Sequence, residues 1–86
     1  MSEIPQLRKR VDEIDDQLLS ILCERVKVCR SIGEAKKKQG KSIRDVTREN
    51  EVYERLKEKA SELGLDSGQV MAVYREIVNI CSAVQV

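Results

Sequence analysis

From Pro5 to Gln39 only Gly33 interrupts a helix-forming run, and apolar residues recur at Leu7, Val11, Ile14, Leu18, Ile21, Val28, Ile32 and Ala35. Steps of three and four draw one apolar seam along a rod, the pattern of a helix laid against other helices. Pro5 suits the first turn, Gly40 suits the position just past the end, and Lys36, Lys37 and Lys38 sit at the negative end of the helix dipole. About 35 residues at a rise of 1.5 Å make a rod of roughly 50 Å. A compact monomer of 86 residues has a radius of gyration of about 12 Å, hence a diameter of about 30 Å. What remains of the chain cannot cover such a rod, but a second copy can. Two long helices packed antiparallel, with shorter helices folded over both ends, bury the whole seam and create two equivalent sites. The expectation is therefore all-α: a three-helix protomer with one long N-terminal helix, a single domain over residues 1–86, and an intertwined helical homodimer.

The two shorter helices are visible further on. One runs from about Val46 to Leu63, with Asp45 or Thr47 as its cap, a stripe at Val46, Tyr53, Leu56, Ala60 and Leu63, and Gly64 as terminator. Asp66 followed by Gln69 reads as a capping box opening a third helix, with a stripe at Val70, Val73 or Tyr74, Ile77, Cys81 and Val84, expected to reach the chain's end. Residues 40–45 form the one substantial loop.

Composition narrows the function. There is no Trp or Phe, and Tyr53 and Tyr74 are the only aromatics, so the core must be aliphatic. Lys plus Arg number 16 against 15 Asp plus Glu, which leaves no global field for nucleic acid or an anionic membrane; any anion site must be local. No apolar run approaches the roughly 20 residues that span a bilayer. Cys23, Cys29 and Cys81 are an odd set without a signal-peptide pattern, which points to free thiols in a reducing compartment, the cytoplasm. No histidine is present, which rules out a Ser-His-Asp relay, a histidine base and a histidine-ligated zinc. Scattered cysteines make a poor zinc site as well. Neither metal nor cofactor is expected.

The informative positions are those that break the apolar pattern. Four residues beyond Ile21 the seam meets Arg25, and four beyond Ile32 it meets Lys36. Eleven residues bring about 20° of net rotation and about 16 Å of rise, so both cations share one face and can converge on an anion between them. The plainer alternative is that each stem lies along apolar surface and its head reaches solvent. Against that, unpaired cations in an apolar face are costly, and no acid of the same helix shares their angle. Reading the second helix's stripe backwards from Leu56 and Tyr53 reaches Glu49, which the helix dipole alone also explains. Asp45 reads first as a cap, and Arg48 as a partner of Asp45 or Glu49. On the third helix Gln85 lies four residues beyond Cys81, in a last turn expected to fray. Arg8 lies 17 residues from Arg25 and about 100° away, so it cannot serve that face of its own helix. In an antiparallel dimer it can enter the other subunit's site.

Taken together, Leu7-Arg8, Glu24-Arg25, Gly33-Glu34-Ala35-Lys36, Arg44-Asp45, Arg48-Glu49 and Gln85 resemble the pattern of the all-helical chorismate mutases, over nearly the whole chain. The resemblance implies rearrangement of chorismate to prephenate in phenylalanine and tyrosine biosynthesis, without cofactor, metal or covalent intermediate. It implies that Arg25 and the other subunit's Arg8 bind the carboxylates, that Lys36 and Gln85 donate to the ether oxygen, and that Glu49 accepts from the ring hydroxyl. Asp45 and Arg48 complete the polar wall. Cys81 departs from the family, which commonly has serine facing the substrate; a thiol is the weaker donor. Three other readings stand beside this one: an isochorismate-pyruvate lyase on the same scaffold, a non-catalytic helical dimer that partners a larger enzyme of the shikimate pathway, and a plain antiparallel coiled coil. The seam-breaking cations count against the last.

Overall fold

The computed structural model describes residues 2–86, folded as three helices: α1 (Ile4–Gln39), α2 (Val46–Glu62) and α3 (Ser67–Ala83). Local chemistry sets most of their boundaries. α1 and α2 end at Gly40 (φ 65°) and Gly64 (φ 74°), a left-handed conformation that glycine adopts without a Cβ penalty. Each end is closed by a pair of backbone bonds. Gly40 and Lys41 N–H donate to Lys37 and Lys36 carbonyls (3.2 and 2.8 Å), and Gly64 and Leu65 N–H donate to Ser61 and Ala60 carbonyls (3.1 and 2.9 Å). At the other ends, Asp45 rather than Thr47 caps α2, accepting from Arg48 N–H at 3.0 Å, and Asp66 caps α3, accepting from Gln69 N–H at 2.8 Å. α3 stops at Ala83, short of the expected end. Val84 and Gln85 continue as a turn, their N–H groups bonded to the Ile80 and Ser82 carbonyls.

α3 packs against both other helices, while α1 and α2 do not pack on each other. Val52 and Leu56 of α2 meet Met71 of α3, with Tyr53, Val70 and Tyr74 around them. Cys29 and Cys81 are buried where α1 and α3 meet. The stripes expected from periodicity are covered in part: Leu56 and Ala60 of α2 and Cys81 of α3 are buried, and Tyr53, Val70, Tyr74, Ile77 and Val84 are half-buried, with Tyr74 rather than Val73 on the covered face of α3. α2 buries Val52, Leu56 and Ala60, leaving Val46 and Leu63 exposed; α3 buries Met71 and exposes Val73; α1 buries Cys29 and exposes Val28. Only one neighbour packs on α1 or α2, so only the edge of each stripe that faces α3 is covered.

Among the described residues the forward half of α1 has no neighbour: Leu7, Val11, Ile14, Leu18 and Ile21 are all exposed. The molecule measures 61 × 24 × 15 Å with a radius of gyration of 16.4 Å, well above the roughly 12 Å of a compact domain of this length. Its accessible surface is 7084 Å², against about 5,200 Å² for a folded monomer of 9.8 kDa. The excess is roughly 1,900 Å², and the exposed apolar side chains of α1 contribute to it. Among the described residues, no helix is long and apolar enough to cross a membrane.

Because Asp66 lies away from every group discussed below, Asp66→Ala should lower unfolding stability by about 1 kcal/mol through loss of the cap alone. Urea unfolding measures the loss, and ligand binding by the folded protein should be unchanged.

Candidate active site

Between the rear half of α1, the 40–45 loop and the facing sides of α2 and α3 lies a cleft of about 350 Å³. α1 contributes Arg25, Cys29, Ile32 and Lys36, steps of four, three and four that hold all four on one face. Ile43 and Asp45 come from the loop, and Arg48, Glu49 and Val52 from the first two turns of α2. α3 supplies Val78 and Cys81, with Gln85 beyond its end. Three helices and the 40–45 loop thus place apolar walls around a few polar groups, the usual make-up of a small-molecule site.

The half-buried Lys36 ammonium donates to the Ile43 carbonyl and, at 2.9 Å, to Gln85 Oε1. An ammonium has three N–H donors, so one remains for a ligand. The Arg25 guanidinium is also half-buried and meets only sulfur: its Nη1 donates to Cys81 Sγ at 2.7 Å and lies 3.8 Å from Cys29 Sγ. Thiols are weak acceptors and carry off little of its charge. Among the described residues neither Arg25 nor Lys36 forms an ion pair; the ion pairs lie elsewhere.

Glu49 is held differently. Its side chain is 18% exposed and its Oε2 lies 3.2 Å from Nη2 of the exposed Arg44. Arg48, expected to pair with Asp45 or Glu49, instead reaches Glu51 at 3.6 Å. Glu51 lies one turn on along the exposed side of α2, whereas the Asp45 carboxylate is engaged by the Arg48 backbone.

Of the positions singled out from the sequence, Arg25, Lys36, Asp45, Arg48, Glu49, Cys81 and Gln85 line this one cleft, and Arg8 does not. Arg8 stands exposed on the uncovered part of α1, about 25 Å from Arg25 along the axis. Cys29 and the Arg44–Glu49 pair are among the contributors that were not foreseen. Cys29, four residues past Arg25, is found by stepping the helical period from the cation instead of from Val28. Arg44 as the partner of Glu49 has no comparable signal, because the loop's course decides it. Among the described residues there is no cluster of three side chains suited to a metal ion.

Burial pushes the Cys29 thiol up to about 11 from its ordinary 9.0; the hydrogen bond with Cys81 adds to the rise, while Arg25 and Lys36 oppose it. The folded protein therefore keeps the Cys29 proton to higher pH than the unfolded chain does. Stability from this group is complete below pH 9 and falls as pH rises towards 11. At pH 8 iodoacetamide should modify exposed Cys23 well before Cys29, as followed by peptide mass spectrometry, and the order should vanish in denaturant.

Known proteins are similar to this chain along most of its length. The family model for chorismate mutase type II matches residues 7–86. A bifunctional chorismate mutase/prephenate dehydratase of Aquifex aeolicus is 34% identical over 99% of this chain, which spans 24% of that relative's length. A chorismate mutase of Methanocaldococcus jannaschii is 26% identical over 99% of this chain and 86% of its own. A 3-dehydroquinate dehydratase of Pyrobaculum aerophilum is 33% identical over 95% of this chain, again matched along only 24% of its length.

Proposed function

The chain belongs to the chorismate mutase type II family, and from that premise we propose that it converts chorismate to prephenate in aromatic amino-acid biosynthesis. The observation that carries the reading is the pair of half-buried cations, Arg25 and Lys36, on one face of α1, without carboxylate partners and opening on one cleft. Chorismate brings what they lack: two carboxylates and an ether oxygen.

In this rearrangement one C–O bond breaks and one C–C bond forms within a single molecule, with no proton, electron or group exchanged with the protein. The site therefore acts by shape and electrostatics. Arg25 grips one carboxylate and helps hold the enolpyruvyl arm over the ring, so that the entropic cost of the reactive conformer is met on binding. As the C–O bond lengthens, negative charge grows on the ether oxygen. The remaining N–H of Lys36 and the Gln85 amide stabilise that charge more than the ground state. Glu49, steadied by Arg44, accepts from the ring hydroxyl, and Asp45 and Arg48 close the polar wall. Cys81, already in contact with Arg25, contributes mainly shape.

The working unit in this proposal is a homodimer. Its support is the uncovered seam of α1 and the excess surface, which is of the order that a stable subunit interface buries. Arg8 of the second copy completes the site as the other carboxylate binder. The cytoplasm is the proposed location. Association with another enzyme of the shikimate pathway is proposed as well, because relatives named for prephenate dehydratase and 3-dehydroquinate dehydratase carry a matching segment.

Purified protein should consume chorismate and yield prephenate. Lys36→Ala should lower the rate by about 100-fold to 1,000-fold, the usual cost of losing a preorganised donor; a rate within threefold of the parent would remove Lys36 from the mechanism. No turnover of chorismate by folded protein, or cleavage of isochorismate to pyruvate instead, would overturn the mutase reading. Cys81→Ser should keep or raise activity. Mixing inactive Arg8→Ala with inactive Lys36→Ala chains should recover about a quarter of parent activity, since half the dimers are mixed and each has one intact site. No recovery would mean that Arg8 does not act across the interface.

A further inference from the structure

Gln85 lies beyond the end of α3, outside any regular element, yet it is half-buried and its side chain meets Lys36 at 2.9 Å. A residue two positions past a helix end is ordinarily free to fray, so something must fix it. The neighbour that permits this position is Gly33. It is the one glycine inside α1, it is buried, and it lies one turn before Lys36. A Cβ placed on Gly33 would come within 2.8 Å of Gln85 Cα and 2.9 Å of its Cβ and Cγ. The first of these atoms is backbone, and no side-chain rotation moves it out of the way.

We propose that Gly33 is a positioning residue for the site: its missing side chain is the seat on which the turn after α3 lays Gln85 against α1, with its amide between Lys36 and the cleft. An ammonium only donates, so the Gln85 carbonyl oxygen must face Lys36. The Nε2 donors are thereby turned away from Lys36 and left for a ligand. Gly33 touches no ligand itself; it acts by bringing the second ether-oxygen donor alongside the first. Glycine is the poorest helix former after proline, so helical propensity offers no reason for its place in α1. The inference rests on the mutase reading for the task of Gln85, but the seat itself is a statement about the unliganded protein.

The test joins kinetics with nuclear magnetic resonance. In the parent, Gly33 Hα protons should show close contacts to Gln85 side-chain protons; their absence would overturn the seat without any variant. Gly33→Ala should move the Gln85 side-chain amide resonances, in protein labelled with ¹⁵N-glutamine, towards those of a solvated glutamine, while circular dichroism shows α1 still helical. Unmoved resonances overturn the proposal. With chorismate, Gly33→Ala should lower kcat by about tenfold to 100-fold, approaching the loss in Gln85→Ala, with KM changed less. On a Gln85→Ala background it should cost no further activity, and an equal further loss would show that Gly33 acts by another route. If the parent fails to turn over chorismate while the resonances behave as stated, the mutase reading falls and the seat stands.

Discussion

The rest of the protomer depends on α3 lying between the other two helices. Its sequence carries only Arg75 and Glu76 as charged residues, so it is apolar around much of its circumference and suited to neighbours on two sides. Met71 closes against Val52 and Leu56 of α2, and Cys81 closes against Cys29 of α1. Since α1 and α2 do not pack on each other, α3 and the 40–45 loop, tied to Lys36 through the Ile43 carbonyl, set their separation. The space left between them on one side of α3 is the cleft.

The same arrangement leaves the protomer short of a core. Among the described residues only six apolar side chains are buried, and none reaches full burial. The long α1 thus has two distinct parts. Its rear half is covered by α3 and builds a site; its forward half presents an apolar seam that neither of the other two described helices covers. A helix of 36 residues served by two of 17 cannot be otherwise. Fold and site meet in α1, because the seam that would bury a second copy also carries, further along, the two cations that face the cleft.

Those cations are held by neutral acceptors. Lys36 bonds to a carbonyl and an amide oxygen, and Arg25 touches thiols. A carboxylate in either place would neutralise the charge and compete with an anionic ligand. Neutral acceptors fix the direction of each donor while leaving its charge in force, and that is the condition for stabilising charge as it develops. Glu49 has the opposite treatment: Arg44 pairs with it and orients it, without drawing on the cations of α1.

Arg25, Lys36 and Glu49 were legible because each breaks a periodic apolar pattern at a place the period itself predicts. The caps at Asp45 and Asp66 and the glycine ends of α1 and α2 were legible because they are settled within a few residues of backbone. Other features had no such signal. Burial of Cys29 rather than Val28, and of Val52 on α2, turns on which side α3 approaches, and neighbouring residues differ by 100° around a helix. The pairing of Arg48 with Glu51 and of Arg44 with Glu49 depends on where the loop runs. Gly33 reads in sequence only as a flaw in a helix; its partner lies 52 residues away. The sequence by itself determined three helices, most of their limits, the angular place of the cations and the excess length of α1, since these follow from local backbone energetics and a fixed helical period. Which faces meet, which polar atoms are engaged and how Gln85 comes to rest beside Lys36 were decided only by tertiary structure, because contacts between distant segments depend on the packing of whole helices.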